Sequence, residues 1–453
     1  MTLGDALATP TENSVPTSSY GTSVFHSDTD SMLYGTKWGG ARGTGVTLTY
    51  SFPSGTTWWL SDYGNNDEPD SYYGLDATQI AAARSALAAW ATVAAVRFIE
   101  VDDNQDTVGE IRFALSNNVD EDSAAHAYMP GDLASAGDVW FSPDYVGKPA
   151  APGSYLYMTM IHETGHALGL NHSFGLAASY DNLFYTVMSY TASPWSSDGD
   201  NYASFYPTTP MYFDILALQA IYGKSGLKAH DGNTKYKFGD AVYFETIFDT
   251  GGKDTIAYNG SDYCEIVLKP GSFCIVGQAV EFTTESSRST VMIGPGIIIE
   301  NATGNAGDDL LEGNSSKNLL RGRAGADTIL GAGGNDTLWG GVGADSLQSG
   351  AGRDIFDYRD IAEIDDDIIA DFKHKQDRID LSHIDANLLA AGNGRFAFVA
   401  QQGNALHGTA GELRWYQSAG HTLVVGDIDG DGAADFLLDL VGSKALTKGD
   451  FIL

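Results

Sequence analysis

Cysteine is almost missing from this chain, with only Cys264 and Cys274 among 453 residues. Two thiols make no disulfide framework: they could close one hairpin disulfide or stay buried and free, so no chemistry is assigned to them. Basic residues are scarce as well, 25 Lys and Arg against 59 Asp and Glu, for a formal charge of −34. That balance argues against nucleic acid and anionic membrane as partners and in favour of cations. No run approaches the 18 consecutive apolar residues of a membrane-spanning helix, so no membrane insertion is expected. The first 20 residues have neither a basic start nor an apolar core, which is not the pattern of a secretory signal peptide. If the protein is exported, its address is expected elsewhere.

What is present is enough for a globular chain. Hydrophobic residues make up 43% of it, and the length suggests about two to four domains.

The most informative stretch is Ile161-His162-Glu163-Thr-Gly-His166-Ala-Leu-Gly169-Leu-Asn-His172. Two histidines four apart lie on one helical face, offset by about 40° and roughly 6 Å of rise, so both imidazoles can reach one metal ion. Glu163 sits one step round the helix, where its carboxylate can address a water at the metal. On a straight helix His172 would stand roughly 15 Å from His162, beyond the reach of Zn–N bonds of about 2.0–2.1 Å. The chain must therefore turn, and Gly169 supplies a residue that takes a left-handed conformation at low cost. Three neutral nitrogen ligands leave one position open, the catalytic pattern for zinc. Given this composition, the full H-E-x-x-H-x-x-G-x-x-H pattern is expected by chance in about a few chains per hundred thousand.

Thr186-Val-Met188-Ser-Tyr190 follows shortly afterwards. A methionine at this distance from the extended motif resembles the Met-turn of metzincin endopeptidases, and Met-Ser-Tyr narrows the resemblance to the serralysin and astacin groups. The resemblance implies one catalytic zinc, with Met188 packed beneath its three histidines and Tyr190 as a fifth ligand of the resting enzyme.

Residues 1–30 read as a mobile arm or propeptide, 31–223 as the zinc protease domain and 224–453 as a calcium-binding and secretion domain. Asp76 and Gln79 resemble a capping box opening a helix to about Ala95, with Ile80, Ala83, Leu87, Trp90 and Ala94 as its buried stripe. Strands are expected over 46–52, 98–101, 111–115, 124–130 and 137–141, and a helix from Pro210 to Gly223. In metzincins an extended substrate pairs with the edge strand before the active-site helix, which the resemblance places at Ala125, His126, Ala127 and Tyr128. Backbone pairing of that kind suits broad specificity.

Residues 304–357 divide into six nonapeptides without insertion, beginning at Gly304, Gly313, Gly322, Gly331, Gly340 and Ser349. Most carry an aspartate at position six (Asp309, Asp327, Asp336, Asp345, Asp354) and a glycine at position four (Gly307, Gly325, Gly334, Gly343, Gly352). Glycines permit the turns, carbonyls and aspartates are hard oxygen ligands for calcium, and the apolar residue at position eight stacks into a thin core. This pattern is identified as the RTX parallel β-roll. Gly350, Asp254, Glu300 and Asp371 join the expected calcium ligands, several ions being structural cofactors. The second unit has Ser316 for glycine and Asn318 for aspartate, and the sixth starts with Ser349, so calcium sites built from them are expected to be weak or absent. Asp427-Ile-Asp429-Gly-Asp431-Gly-Ala-Ala-Asp435 lacks the closing glutamate of an EF-hand and is read as a β-turn.

The resemblance to serralysins covers residues 31–453. It implies an α+β metzincin protease domain, a mixed sheet with its active-site helix, followed by an all-β parallel β-roll and β-sandwich. The chain ends Asp450-Phe451-Ile452-Leu453, like substrates of bacterial type I secretion, so that apparatus is an expected partner besides protein substrates. A secreted, extracellular, monomeric zinc endopeptidase of broad specificity is expected. A calcium-dependent adhesion module carrying an inactive protease domain is the other reading, but Glu163 and every histidine ligand are intact.

Overall fold

Asp76 starts the first long helix as the sequence leads one to expect. Its carboxylate accepts from the amides of Thr78 and Gln79, and the Gln79 side chain returns a bond to the Asp76 amide. The helix, α1 (Ala77–Val93), buries Ala83, Leu87 and Trp90 as expected, while Ile80 is only half-buried and Ala82, Ala86 and Val93 complete the stripe. The computed structural model describes residues 7–10, 12–20, 28–60, 63, 67–120, 122–196, 202–283, 286–364, 366–392, 394–400, 402–403 and 405–453.

The described residues form two units. The first comprises residues 1–229, 242–250 and 279–295, and the second 230–241, 251–278 and 296–453. A single boundary at 223/224 is therefore too simple, because two later segments return to the first unit. Backbone bonds explain the return: the Thr208 amide donates to Phe244 O and the Ser204 amide to Glu281 O.

In the first unit, β1 (Thr17–Ser19) pairs antiparallel with β2 (Thr36–Trp38). The expected mobile arm is thus partly anchored, with Ala8 buried and Asn13 donating to Leu133 O. Residues 1–6, 11 and 21–27 of that arm lie outside the described residues. The main sheet has β3 (Val46–Ser51), β4 (Tyr72–Tyr73), β5 (Val96–Glu100), β6 (Ile111–Ser116), β7 (Ala125–Ala127) and β8 (Val139–Phe141). Its spatial order is β5-β3-β6-β8-β7, parallel except for β7, with β4 pairing β6 off this path. A mixed sheet with β7 at its edge results. Helices α2 (Tyr155–Ala167) and α3 (Tyr212–Tyr222) complete the unit, and Pro210 lies just before the α3 N-cap Met211 instead of inside its first turn.

The second unit is built on the 18-residue spacing of two nonapeptides per coil. Asn301, Leu319 and Thr337 stand in register on one parallel sheet, and Leu310, Thr328 and Ser346 on the other. Position eight points inward, stacking Leu320, Leu338 and Phe356 in register with Ala302 on one sheet and Leu311, Ile329 and Leu347 on the other, all buried. Beyond the repeats the second sheet continues into antiparallel strands Phe436–Val441, His421–Asp427 and Glu412–Ser418. The stretch 428–435 joins two of them as a turn, with the Gly430 and Gly432 amides donating to Asp427.

Candidate active site

Ser154 caps α2 by accepting from the Tyr157 amide, and the helix is buried along nearly its whole length. It stops at Gly169, whose φ is +98° and where a Cβ would lie 2.7 Å from Thr36 O. The Leu170 amide turns back to Gly165 O, and the chain reverses so that His172 Nε2 stands 3.1 Å from His166 Nε2. One nitrogen from each of His162, His166 and His172 lies within 4.8 Å of the others.

In His162 and His166 the opposite ring nitrogen is fixed by backbone. His162 Nδ1 donates to Val187 O at 2.6 Å and His166 Nδ1 to Leu170 O at 2.7 Å, so each Nε2 carries the lone pair. Burial pushes His162 down to about 4 and His166 well below the usual imidazole value, and it lowers His172 too. Three neutral imidazoles with converging lone pairs repel one another unless a cation lies between them, and this donor set fits zinc. Glu163 lies beside them, 5% exposed, its Oε2 buried without a hydrogen-bond partner. Burial pushes its carboxyl up to about 8.

Two carboxylates that sequence reasoning assigned no part in the site brace it. Asp214, on α3, accepts from Thr186 Oγ1 and from the Val187 and Met211 amides. Val187 O is the acceptor for His162, so Asp214 holds the residue whose carbonyl orients a histidine. Asp181 accepts from Ser173 Oγ and Ser189 Oγ, tying the residue after His172 to the one before Tyr190. The signal available in the sequence was only an acid at the third position of a helix. Met188 is fully buried, and a Cβ on Gly165 would meet its Sδ at 2.7 Å, so a glycine inside the motif makes room for the methionine. The Tyr190 ring stacks on His162 at 17° with centroids 5.7 Å apart and lies 4.5 Å from His172.

A cleft of about 360 Å³ opens beside these groups, lined by Ala125, Tyr155, Met158, Leu183 and Tyr206 among others. Strand β7 forms one wall and has β8 as its sheet neighbour, with Ala125 opposite Phe141 and Ala127 opposite Val139. The side chains of His126 and Tyr128 turn to the buried Glu68, at 2.9 and 3.0 Å.

Residues 66–201 match the Matrixin family, and residues 213–453 match the family described as peptidase M10 serralysin C terminal. This chain belongs to the serralysin family. Serralysin C of Dickeya chrysanthemi is 35% identical over 92% of this chain and 87% of its own length. Serralysin G of the same organism is 32% identical over 92% and 88%, and metalloprotease AprA of Pseudomonas entomophila 35% over 81% and 78%. The protein is a zinc metalloendopeptidase of that family, and its substrates are proteins. Among the described residues no helix is long and apolar enough to cross a membrane.

The other candidate site of this serralysin is a ladder of carboxylates in the roll. The Asp309 amide donates to Asp327 Oδ1, the Asp327 amide to Asp345 and the Asp345 amide to Asp367, at 2.7–2.8 Å. A parallel ladder runs from Asn318 to Asp336, Asp354 and Asp377. The second oxygens of Asp327, Asp336, Asp345, Asp354 and Asp367 are buried without a hydrogen-bond partner. The first glycine of several nonapeptides faces an aspartate oxygen: a Cβ on Gly304, Gly322 or Gly340 would come within 2.1 Å of Asp309, Asp327 or Asp345, the last two among the unpartnered ones. Orphaned oxygens in a glycine cradle fit calcium. Asn318 differs, its Oδ1 accepting from Asn314 N and its Nδ2 donating to Glu300 O. Asp371, expected among the ligands, accepts from the Ser349 and Gly350 amides, and Asp367 and Asp377, which sequence reasoning missed, occupy the ladder positions. Asp254 accepts from the Thr234 amide, and Glu300 from the Asp254 amide.

Proposed function

We propose that this metalloprotease is a secreted endopeptidase of broad specificity in which His162, His166 and His172 hold zinc, with Tyr190 as a further, displaceable ligand. Glu163 is the general base. The observation that carries this reading is the buried, unpartnered Oε2 of Glu163 beside three converging imidazole lone pairs. Zinc bound there supplies Lewis acidity, polarising the scissile carbonyl and acidifying a water. Glu163 Oε2 takes that water's proton and later delivers it to the leaving amine. The Tyr190 hydroxyl, released from its resting position, donates to the oxyanion as it develops. Strand β7 binds an extended substrate by backbone pairing, which tolerates many side chains, while Glu68 steadies His126 and Tyr128 along it.

Calcium fills the turns of the roll, held by the position-six aspartates from Asp309 to Asp354 and by carbonyls of the glycine turns. Asp254, Glu300 and Asp371 complete sites at the roll's two ends. The C-terminal residues address the chain to a type I export apparatus, and the enzyme acts outside the cell as a monomer. The decisive experiment is Glu163→Gln assayed on casein. The variant should bind zinc at wild-type stoichiometry and lose at least ~10²-fold in kcat. Activity near that of the wild type would overturn the assignment.

A further inference from the structure

We propose that the serralysin carries a second transition-metal site, of the zinc class, on the outer face of its roll at Asp357, Asp380 and His383. Asp357 ends strand Ile355–Asp357 and stands opposite Asp380, which ends strand Arg378–Asp380 of the same parallel sheet. Position nine of a nonapeptide points outward, so both carboxylates emerge on the face away from the apolar stack. The turn after Asp380 brings back His383, and one donor atom from each of the three residues lies within 4.8 Å of the others.

Three details separate this cluster from a solvated acidic patch. Asp357 is 6% exposed, and its Oδ1 is buried without a hydrogen-bond partner. Its other oxygen is fully engaged: Arg359 donates to Oδ2 from Nε at 3.0 Å and Nη2 at 2.8 Å. That guanidinium is itself seated 4.5 Å over the Trp339 ring, so the carboxylate is held in one orientation with Oδ1 directed at its neighbours. Asp380 is likewise half used, its Oδ1 accepting from the Ser382 amide and hydroxyl. Its other oxygen is left for a ligand. The third detail is a distance: His383 Nδ1 stands 3.5 Å from Asp357 Oδ1. That is too long for a good hydrogen bond, yet two donors at about 2.0–2.2 Å from one tetrahedral ion are separated by about 3.4 Å.

The donor types select the metal. Calcium takes oxygen and not imidazole, whereas a nitrogen with two carboxylates suits zinc and its neighbours. Glu363, which accepts from Trp339 Nε1 and the Arg359 amide, adds a third carboxylate beside Arg359. Asp357, Asp380 and His383 are none of the position-six aspartates, so the site uses no side chain of the ladder.

The test counts zinc on the full-length, calcium-loaded protein after equilibrium dialysis against Zn²⁺. Wild type should hold two equivalents and His383→Ala one, with peptidase activity unchanged, because the 55% exposed side chain of His383 can be removed at little cost to the fold. His166→Ala, weakened at the active site, should keep the roll equivalent, and the double variant should lose it. Co²⁺ in place of Zn²⁺ should give a visible spectrum in His166→Ala that His383→Ala abolishes. One equivalent in the wild type, or two retained by His383→Ala, would overturn the proposal. Either result would mean that Asp357 and His383 form only an ion pair. Failure of the active-site assignment would instead appear as an equivalent that His166→Ala does not disturb.

Discussion

Asp214 touches no histidine, yet the geometry of the site leans on it through Val187. Burial pushes its carboxyl up to about 7 from an ordinary 3.8. A group whose folded pKa is raised contributes stability that is full below the unfolded value and lost as pH rises through the folded one. Asp214→Asn stays neutral throughout, so the melting temperature of wild type relative to this variant should fall between about pH 4 and pH 8. A difference independent of pH would show that the carboxylate is ionised across that range. Tyr190→Phe should lower kcat by about 10²-fold with little change in KM, since its hydroxyl is assigned to the transition state. A rise in KM alone would count against that role. Gly165→Ala drives a methyl group against Met188 and should cost about 1–3 kcal/mol in thermal unfolding, with zinc affinity reduced. The three histidines, the glutamate and the methionine were legible in the sequence because short covalent spacings fix their geometry. Asp214 was not, because its bond to Val187 spans 27 residues and no local pattern predicts it.

Among the elements, the roll was the most legible and the turn that ends it the least. Strict nine-residue spacing fixes register, so the stacking of Leu320, Leu338 and Phe356 follows from the repeat alone. Past residue 357 the spacing between successive rungs grows from 18 to 22 and 23 residues, and a period-based reading passes over Asp367 and Asp377. Their place is set by strand pairing instead of by count. Burial pushes Asp327 and Asp367 up to about 8 and Asp336 up to about 7, so in a roll without metal these rungs favour protonation near neutral pH. Calcium binding should therefore release protons near neutral pH, measurable in a weakly buffered titration, and chelation should remove β-structure from the circular dichroism of the full chain. Asp345→Asn should raise the calcium needed for half-folding several-fold, whereas Asn318→Ala, whose parent amide is already satisfied by Asn314 and Glu300, should leave it nearly unchanged. Equal shifts for the two variants would undo the assignment of ligands by orphaned oxygens.

At the scale of the whole molecule, the C-terminal residues have two roles to separate. Phe451–Ile452 pairs parallel with Ile379 and Asp380, so the tail is a strand of the folded roll as well as the proposed address for export. Deleting Asp450–Leu453 should leave the protein inside the producing cell. Ile379→Asn, which damages the same pairing but leaves the tail intact, should still be exported, since an unfolded chain is what a narrow channel accepts. Retention of both variants would assign the effect to folding and not to an address.

The division of the chain has one further consequence. It passes from one unit to the other after residues 229, 241, 250, 278 and 295, so five covalent links join what a linear diagram would draw with one. The consequence shows if the chain is cut at one of these links. A single scission here leaves four links unbroken, and the two halves remain one particle. Tolerance of a single cut thus follows from the threading of the chain.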